Sequence, residues 1–165
     1  MLDIVSFLIG LIDNPLIISL VLGALPISEI RGAAIYAFSI GQHWLILPAM
    51  LANILVAPII LLFWNILNIP YWGKLILGKR LEERLLSLGK QYDTQGAIAI
   101  AIFIGIPLPL TGVYTGTLIA ELLGIKRSHT ILAAIAGVCI AAALMYFALG
   151  SVSFLSSLFL LPRSS

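Results

Sequence analysis

Four apolar blocks run through the 165-residue chain, at 15–40, 44–67, 96–123 and 129–149. Each is long enough to cross a hydrocarbon core of about 30 Å at about 1.5 Å per residue. The simplest expectation is therefore four transmembrane helices, but two of the blocks are interrupted from within. The first carries Pro26 and then Ser-Glu-Ile-Arg-Gly at 28–32. The third carries GIPLPLTG at 105–112, with Pro107 and Pro109 on either side of Leu108. Proline lacks an amide proton and pushes its predecessor out of the helical region, so both blocks must break there. The arms left over, 15–25, 32–40, 96–106 and 112–123, each reach roughly 14–18 Å, about half the core. That length predicts helical hairpins that enter the membrane, turn near its middle and leave on the same side. Open backbone at such depth is tolerated only where protein or water surrounds it.

Blocks two and four are then the full spans. Pro48, Asn53 and Pro58 predict a kink in the second block. Asn53 needs a hydrogen-bond partner, either a neighbouring helix that it glues in place or a pore water beside a site. Ala133, Gly137 and Ala141, four apart, give the fourth block a stripe for close packing, within the chain or across a dimer seam. Between the halves, Leu77, Leu81, Leu85, Leu88 and Tyr92 recur at helical spacing among Lys79, Arg80, Glu82, Glu83 and Lys90. They predict an interfacial amphipathic helix over 74–92, with Lys79 and Glu83 paired at i,i+4. The opening stretch MLDIVSFLIGLIDNP has no positive charge and reads as a short surface helix rather than a cleaved signal peptide.

Composition supports the membrane reading. Hydrophobic residues make up 61% and charged residues 10% of the chain, and the mean hydropathy is +1.15. A soluble domain needs a larger polar shell than this. The chain is expected to be one all-α integral membrane domain: a first repeat at 1–67, a linker at 68–95, a second repeat at 96–149 and a tail at 150–165. With hairpins in blocks one and three, Lys74, Lys79, Arg80, Arg84, Lys90, Lys126 and Arg127 share one face, and only Arg163 lies on the other. The positive-inside rule then puts the 68–95 loop in the cytoplasm; the membrane itself is expected to be the cell membrane of a prokaryote. Four full crossings would weaken that asymmetry. EIRGAAIY at 29–36 set over PLTGVYTG at 109–116 places Gly32 on Gly112 and Arg31 on Thr111. Each half reads as hairpin then span, and block two joins them by one crossing. This is an inverted repeat, with a site near the midplane between interrupted helices.

Glu29 and Arg31 are the charges that need explaining. At a helix centre each would cost about 2.5–3.5 kcal/mol, so a hydrated hairpin tip is expected. The pair is either a structural ion pair or a functional site. The arms beginning at Gly32 and Gly112 point their N-termini at the midplane, and Arg31 adds a full charge. The field there suits an anion such as a phosphate or a carboxylate. Glu29 is then a proton carrier, or a gate that pairs with Arg31 when substrate is absent. Thr111, Tyr114 and Thr115 offer hydroxyls at the facing tip, although Tyr114 serves equally as a packing residue. Glu121, about 13 Å further along, pairs with Lys126 or Arg127 near the interface in a structural role. His43 and His129 read as interfacial residues. Cys139 is the only cysteine, so an internal disulfide is excluded, and no Cys/His set has metal-ligand spacing. No phosphate-binding Gly-Lys-Thr loop is present and no stretch suggests hydrolytic, redox or nucleotide chemistry. The expectation is a non-enzyme with no cofactor, no metal and no nucleic-acid partner.

The two tips also carry a resemblance. LPISEIRGAAIYAF and IPLPLTGVYTGTLIAELLGI, with LANILVAP in the second block, resemble the paired signatures of the small multidrug export proteins, a group close to the DedA superfamily of re-entrant-loop membrane proteins. The likeness covers 15–149. It implies opposed hairpins and a transport or lipid-translocation role, which in the wider superfamily is linked to lipid-carrier flipping or scrambling and to the proton-motive force. It marks Glu29 and Arg31 at the first tip and Pro107, Pro109, Thr111 and Gly112 at the second. The arginine that DedA relatives often carry near the second tip is replaced here by Thr111 and Gly112. The expected function is a small secondary transporter or lipid flippase, with proton coupling, membrane lipids as surroundings, a small anionic or lipid substrate and a homodimeric state. The alternatives are a non-transporting membrane scaffold and an ion channel.

Overall fold

The computed structural model describes residues 10, 12–66, 93–108 and 111–160. The expected amphipathic helix at 74–92, the basic linker up to residue 92, the start of the N-terminal helix, Pro109 and the end of the tail lie outside them. The described residues form six helices: α1 (Pro15–Ala24), α2 (Glu29–Ser39), α3 (Ile46–Ile66), α4 (Asp93–Gly105), α5 (Val113–Leu122) and α6 (Arg127–Leu160). A 3-10 turn at His43–Leu45 leads into α3.

Helix α1 starts where the side chain of Asn14 accepts the Leu16 N–H and Pro15 takes the first helical position. It stops at Leu25, just before Pro26. The second arms, α2 and α5, end alike. Gly41 and Gly124 both have φ +69°. Each donates its N–H to the carbonyl of the penultimate helical residue, Gly41 to Phe38 and Gly124 to Glu121. The following residue bonds one further back, Gln42 to Ala37 and Ile125 to Ala120. Glycine tolerates this left-handed turn without a Cβ clash. Each arm is thereby delivered directly to the long helix that follows.

Among the described residues, two helices are long and apolar enough to cross a membrane, His43–Trp64 and Arg127–Leu155. The other four reach only about 15–20 Å at about 1.5 Å per residue. Helices α1 and α2 pack on one another and on α3; α4 and α5 pack on one another and on α6. Two apolar clusters form the interior. One joins α1 and α2 to Leu45, Ile46 and Ala49 near the start of α3 and to Ala141 and Ala142 of α6. The other joins α4 and α5 to Val56 and Ala57 further along α3 and to Ala133, Ala134 and Val138 near the start of α6. The two long helices therefore run in opposite directions, and each helical pair sits toward a different end of them.

Asn53, a third of the way along α3, bonds the carbonyl of Gly23 at the end of α1. Gly105, at the end of α4, lies against Ile140 of α6. Both pairs thus stop part-way along a long helix. The stripe on α6 faces inward: Ala133 and Ala141 are buried, and Gly137 lies against Ile104 and the Ala101 carbonyl of α4. Pro58 lies inside α3, where it leaves the Ile54 carbonyl without its usual helical donor. Pro48 sits in the first turn, where a missing N–H costs little.

At the far end of the second pair, Asp93 opens α4 and reaches across to the start of α6. Its carboxylate accepts the Lys126 N–H at 2.8 Å. Its other oxygen lies 2.6 Å from His129 Nδ1 and 3.8 Å from Lys126 Nζ. The Lys126 N–H and the facing His129 and Lys126 hold the Asp93 carboxyl below its ordinary range, against the opposing effect of partial desolvation. A depressed carboxyl contributes stability above its unfolded pKa of about 3.9 and loses it as pH falls through the lower folded value. Melting of the detergent-solubilised protein should therefore show an acid-side decline below about pH 4 that is reduced in Asp93→Asn.

Candidate functional site

The turn between α1 and α2 and the turn between α4 and α5 meet. Helix α1 ends with four carbonyls that have no partner further along the helix, and each has found one. Val21 accepts the Leu25 N–H. Leu22 accepts the Ser28 hydroxyl. Gly23 accepts the Asn53 amide at 2.7 Å, and Ala24 accepts the Tyr114 hydroxyl from α5. Donors from the turn before α2, from α3 and from α5 thus converge on one helix end. Asn53 is buried, and losing it would strand the Gly23 carbonyl. Asn53→Ala should cost about 1–3 kcal/mol in unfolding free energy, the usual penalty for a buried orphan, measurable in micelles.

Glu29 opens α2 with φ +48°, the only described non-glycine residue in the left-handed region. That conformation costs roughly 1–2 kcal/mol for an L-residue. It sends the side chain across to α5, where the carboxylate accepts the backbone N–H groups of Tyr114 and Val113. Glu29 therefore caps the N-terminus of α5, where exposed amides and the helix dipole favour an anion. Gly112, the residue before that helix, has ordinary φ of −102°; what it supplies is space. A Cβ there would overlap the Glu29 carboxyl group.

Arg31, in the first turn of α2, completes the site. Its guanidinium lies 3.7 Å from Glu29 Oε2 and donates to Thr111 Oγ1 at 3.2 Å. Its Nε is buried and has no hydrogen-bond partner. Thr111 organises its own turn as well: its hydroxyl lies 2.6 Å from the Ile106 carbonyl and accepts the Leu108 N–H at 3.2 Å.

Of the residues singled out from sequence, Glu29, Arg31, Thr111, Gly112 and Tyr114 come together, with Asn53 one bond away at Gly23. Gly32 lies buried in α2. Thr115 is half-buried on α5 outside this network. Pro26 and Pro107 sit in the two turns. The charges differ from expectation in their surroundings. Glu29 is 5% exposed and the Arg31 side chain 15%, so protein groups rather than open water enclose them. Ser28 was not singled out from sequence; its signal is a hydroxyl two residues after the helix-breaking Pro26. Glu121 is paired with Arg127 at 3.3 Å, at the other end of α5.

No curated protein and no solved structure matches the chain. A family model described as "Putative small multi-drug export protein" matches residues 29–144. That stretch begins at the glutamate that caps α5, directly after the first turn, and takes in α2, α3, the turn between α4 and α5, and most of the span of α6. By this match the chain belongs to the small multi-drug export protein family.

Proposed function

We propose that the chain is a small secondary transporter whose site lies between two re-entrant hairpins, α1–α2 and α4–α5, related as an inverted repeat and entering from opposite leaflets. The carrying observation is the Glu29 carboxylate seated on the first amides of α5 beside Arg31. In this reading Glu29 is a tethered anion that holds the place of the transported one. Protonation removes its charge and its hold on the amides. A phosphate or carboxylate then takes the α5 N-terminus and Arg31, and Glu29 is the proton carrier.

Three features support the hairpin arrangement. The four short helices are each too short for about 30 Å of hydrocarbon. Their turns end against the middle stretches of the two crossing helices. Ile27 in one turn and Leu108 in the other are more than half exposed, which suits hydrocarbon or an apolar partner better than water. The family description supports export over catalysis. On this reading the 68–95 loop is cytoplasmic, the protein works as a homodimer, and the transported anion is either a lipid headgroup or a small free ion. The likeness to DedA proteins favours the first.

The test is reconstitution into liposomes. One arm follows uptake of inorganic phosphate or a small carboxylate under an imposed pH gradient; the other follows flipping of a labelled anionic phospholipid. Flux in one arm that rises with the proton gradient, and that falls about tenfold or more in Glu29→Gln and in Arg31→Ala, is the expected result. Unchanged flux in folded variants would remove these residues from the mechanism. No flux in either arm would leave the scaffold reading in possession.

A further inference from the structure

The first turn of α5 receives the Glu29 carboxylate at Val113 and Tyr114. One turn on, Thr117 is fully buried, and its hydroxyl has no hydrogen-bond partner. A threonine in a helix commonly bonds back to the carbonyl four residues earlier; Thr117 does not. An orphan hydroxyl at such depth costs about 1–3 kcal/mol, and its neighbours on the buried face of α5 are Val113, Gly116 and Ala120. One turn further is Glu121, whose side chain is 9% exposed and whose partner Arg127 is half-exposed at the end of the helix. Residues 113, 117 and 121 are four apart and lie along one side of α5.

We propose that this line is the proton path of the transporter: from the mouth at Arg127 to Glu121, through water held at the Thr117 hydroxyl, to Glu29. The inference rests on the reading of Glu29 as proton carrier. Each step is about one helical turn, 5–6 Å, too long for a direct transfer and short enough for one or two waters. A proton from bulk water binds the Glu121 carboxylate, which is thereby released from Arg127. It passes along water that accepts the Thr117 hydroxyl hydrogen and donates to the Thr117 oxygen, so Thr117 ends as it began. It then joins the Glu29 carboxylate. Glu121 returns to its charged, paired form, and the net change is one proton moved from the mouth to the tip. Among the described residues, the charged groups at the ends of this line are Arg31 of α2 at the inner end and Arg127 and Lys126 at the outer end. The Asp93–His129 contact lies beyond them, where α4 meets α6.

The test reads Glu29 directly and needs no substrate. Infrared difference spectra of the full chain in lipid nanodiscs after a rapid pH drop give the rate at which the Glu29 carboxyl band appears, the band being assigned by its loss in Glu29→Gln. Thr117→Val and Glu121→Gln should slow that rate about tenfold or more, and Thr117→Ser should restore it. A hydroxyl with a merely structural role would lower the melting temperature when removed; Thr117→Val instead removes a hydroxyl with no protein partner at nearly constant shape, so its melting temperature should match or exceed wild type. A Glu29 band that appears at the wild-type rate in folded Thr117→Val and Glu121→Gln overturns the path and leaves the carrier intact. A wild-type protein with no Glu29 band at any accessible pH overturns both. Should Thr117→Val fail to fold, Thr117→Ala is read by the same two criteria.

Discussion

Gly112→Ala should lose about 3–5 kcal/mol of unfolding free energy, the range seen when one member of a buried charge pair is left without compensation. The backbone at Gly112 would accept alanine, since its φ is −102°. The added methyl group, however, would occupy the volume of the Glu29 carboxyl group. Glu29 must then withdraw from the amides of Val113 and Tyr114, which lose their acceptor, and the carboxylate must find another place in a buried setting or take up a proton. The prediction is specific because it names the colliding partner. In a Glu29→Gly background the volume is vacant, and the left-handed conformation at position 29 is also relieved. The same alanine should then cost less than about 1 kcal/mol, a coupling within the range found for residues in contact. Denaturant or thermal unfolding of the four proteins in one detergent completes the cycle. An equal cost for the alanine in both backgrounds would mean that Glu29 does not sit against Gly112, and the cap on α5 would have to be withdrawn.

The interruptions were legible in sequence because proline acts locally: Pro26 and Pro107 end their helices whatever surrounds them. The two crossing helices were legible from apolar length. Boundaries were less so. The arm expected from Gly32 begins at Glu29, so both charges lie in the first turn of a helix and not in a loop before it. Counted from helix starts, Ser28 stands opposite Gly112, and Gly32 opposite Gly116, one turn away from the register suggested by matching glycines. The fourth apolar block ends at Leu149 in the sequence, yet α6 continues to Leu160. Gly150, Ser151 and Ser153 interrupt hydropathy without interrupting a helix; Ser151 bonds back to the Phe147 carbonyl at 2.7 Å.

What could not be read at all is the pairing across distance. The hydroxyl of Tyr114 finds Ala24 across 90 positions and Asn53 finds Gly23 across 30. Polarity in an apolar block signals that a partner is needed, and it carries no address for that partner. The left-handed turn at Glu29 is likewise invisible in sequence, because it is imposed by the tertiary contact it makes possible. Water was expected around the two charges for the same reason: the groups that enclose them come from the other half of the chain.

The Arg31 variants decide between a structural pair and a working one. Arg31→Met keeps length and apolar contact and removes the charge. It leaves Glu29 with two amides and no cation, and should cost about 3–5 kcal/mol. In Glu29→Gln with Arg31→Met no charge remains, and the glutamine oxygen can still accept from Val113 and Tyr114. Replacing both members of a buried pair is often neutral, so the double variant should fall within about 1 kcal/mol of wild type. A scaffold protein would then be whole again, because everything the pair did for it was structural. A transporter that needs a proton on Glu29 and an anion on Arg31 would be just as stable and inactive, with flux down by about a hundredfold. Stability restored together with flux would end the functional reading of the pair, even if each single variant had behaved as expected.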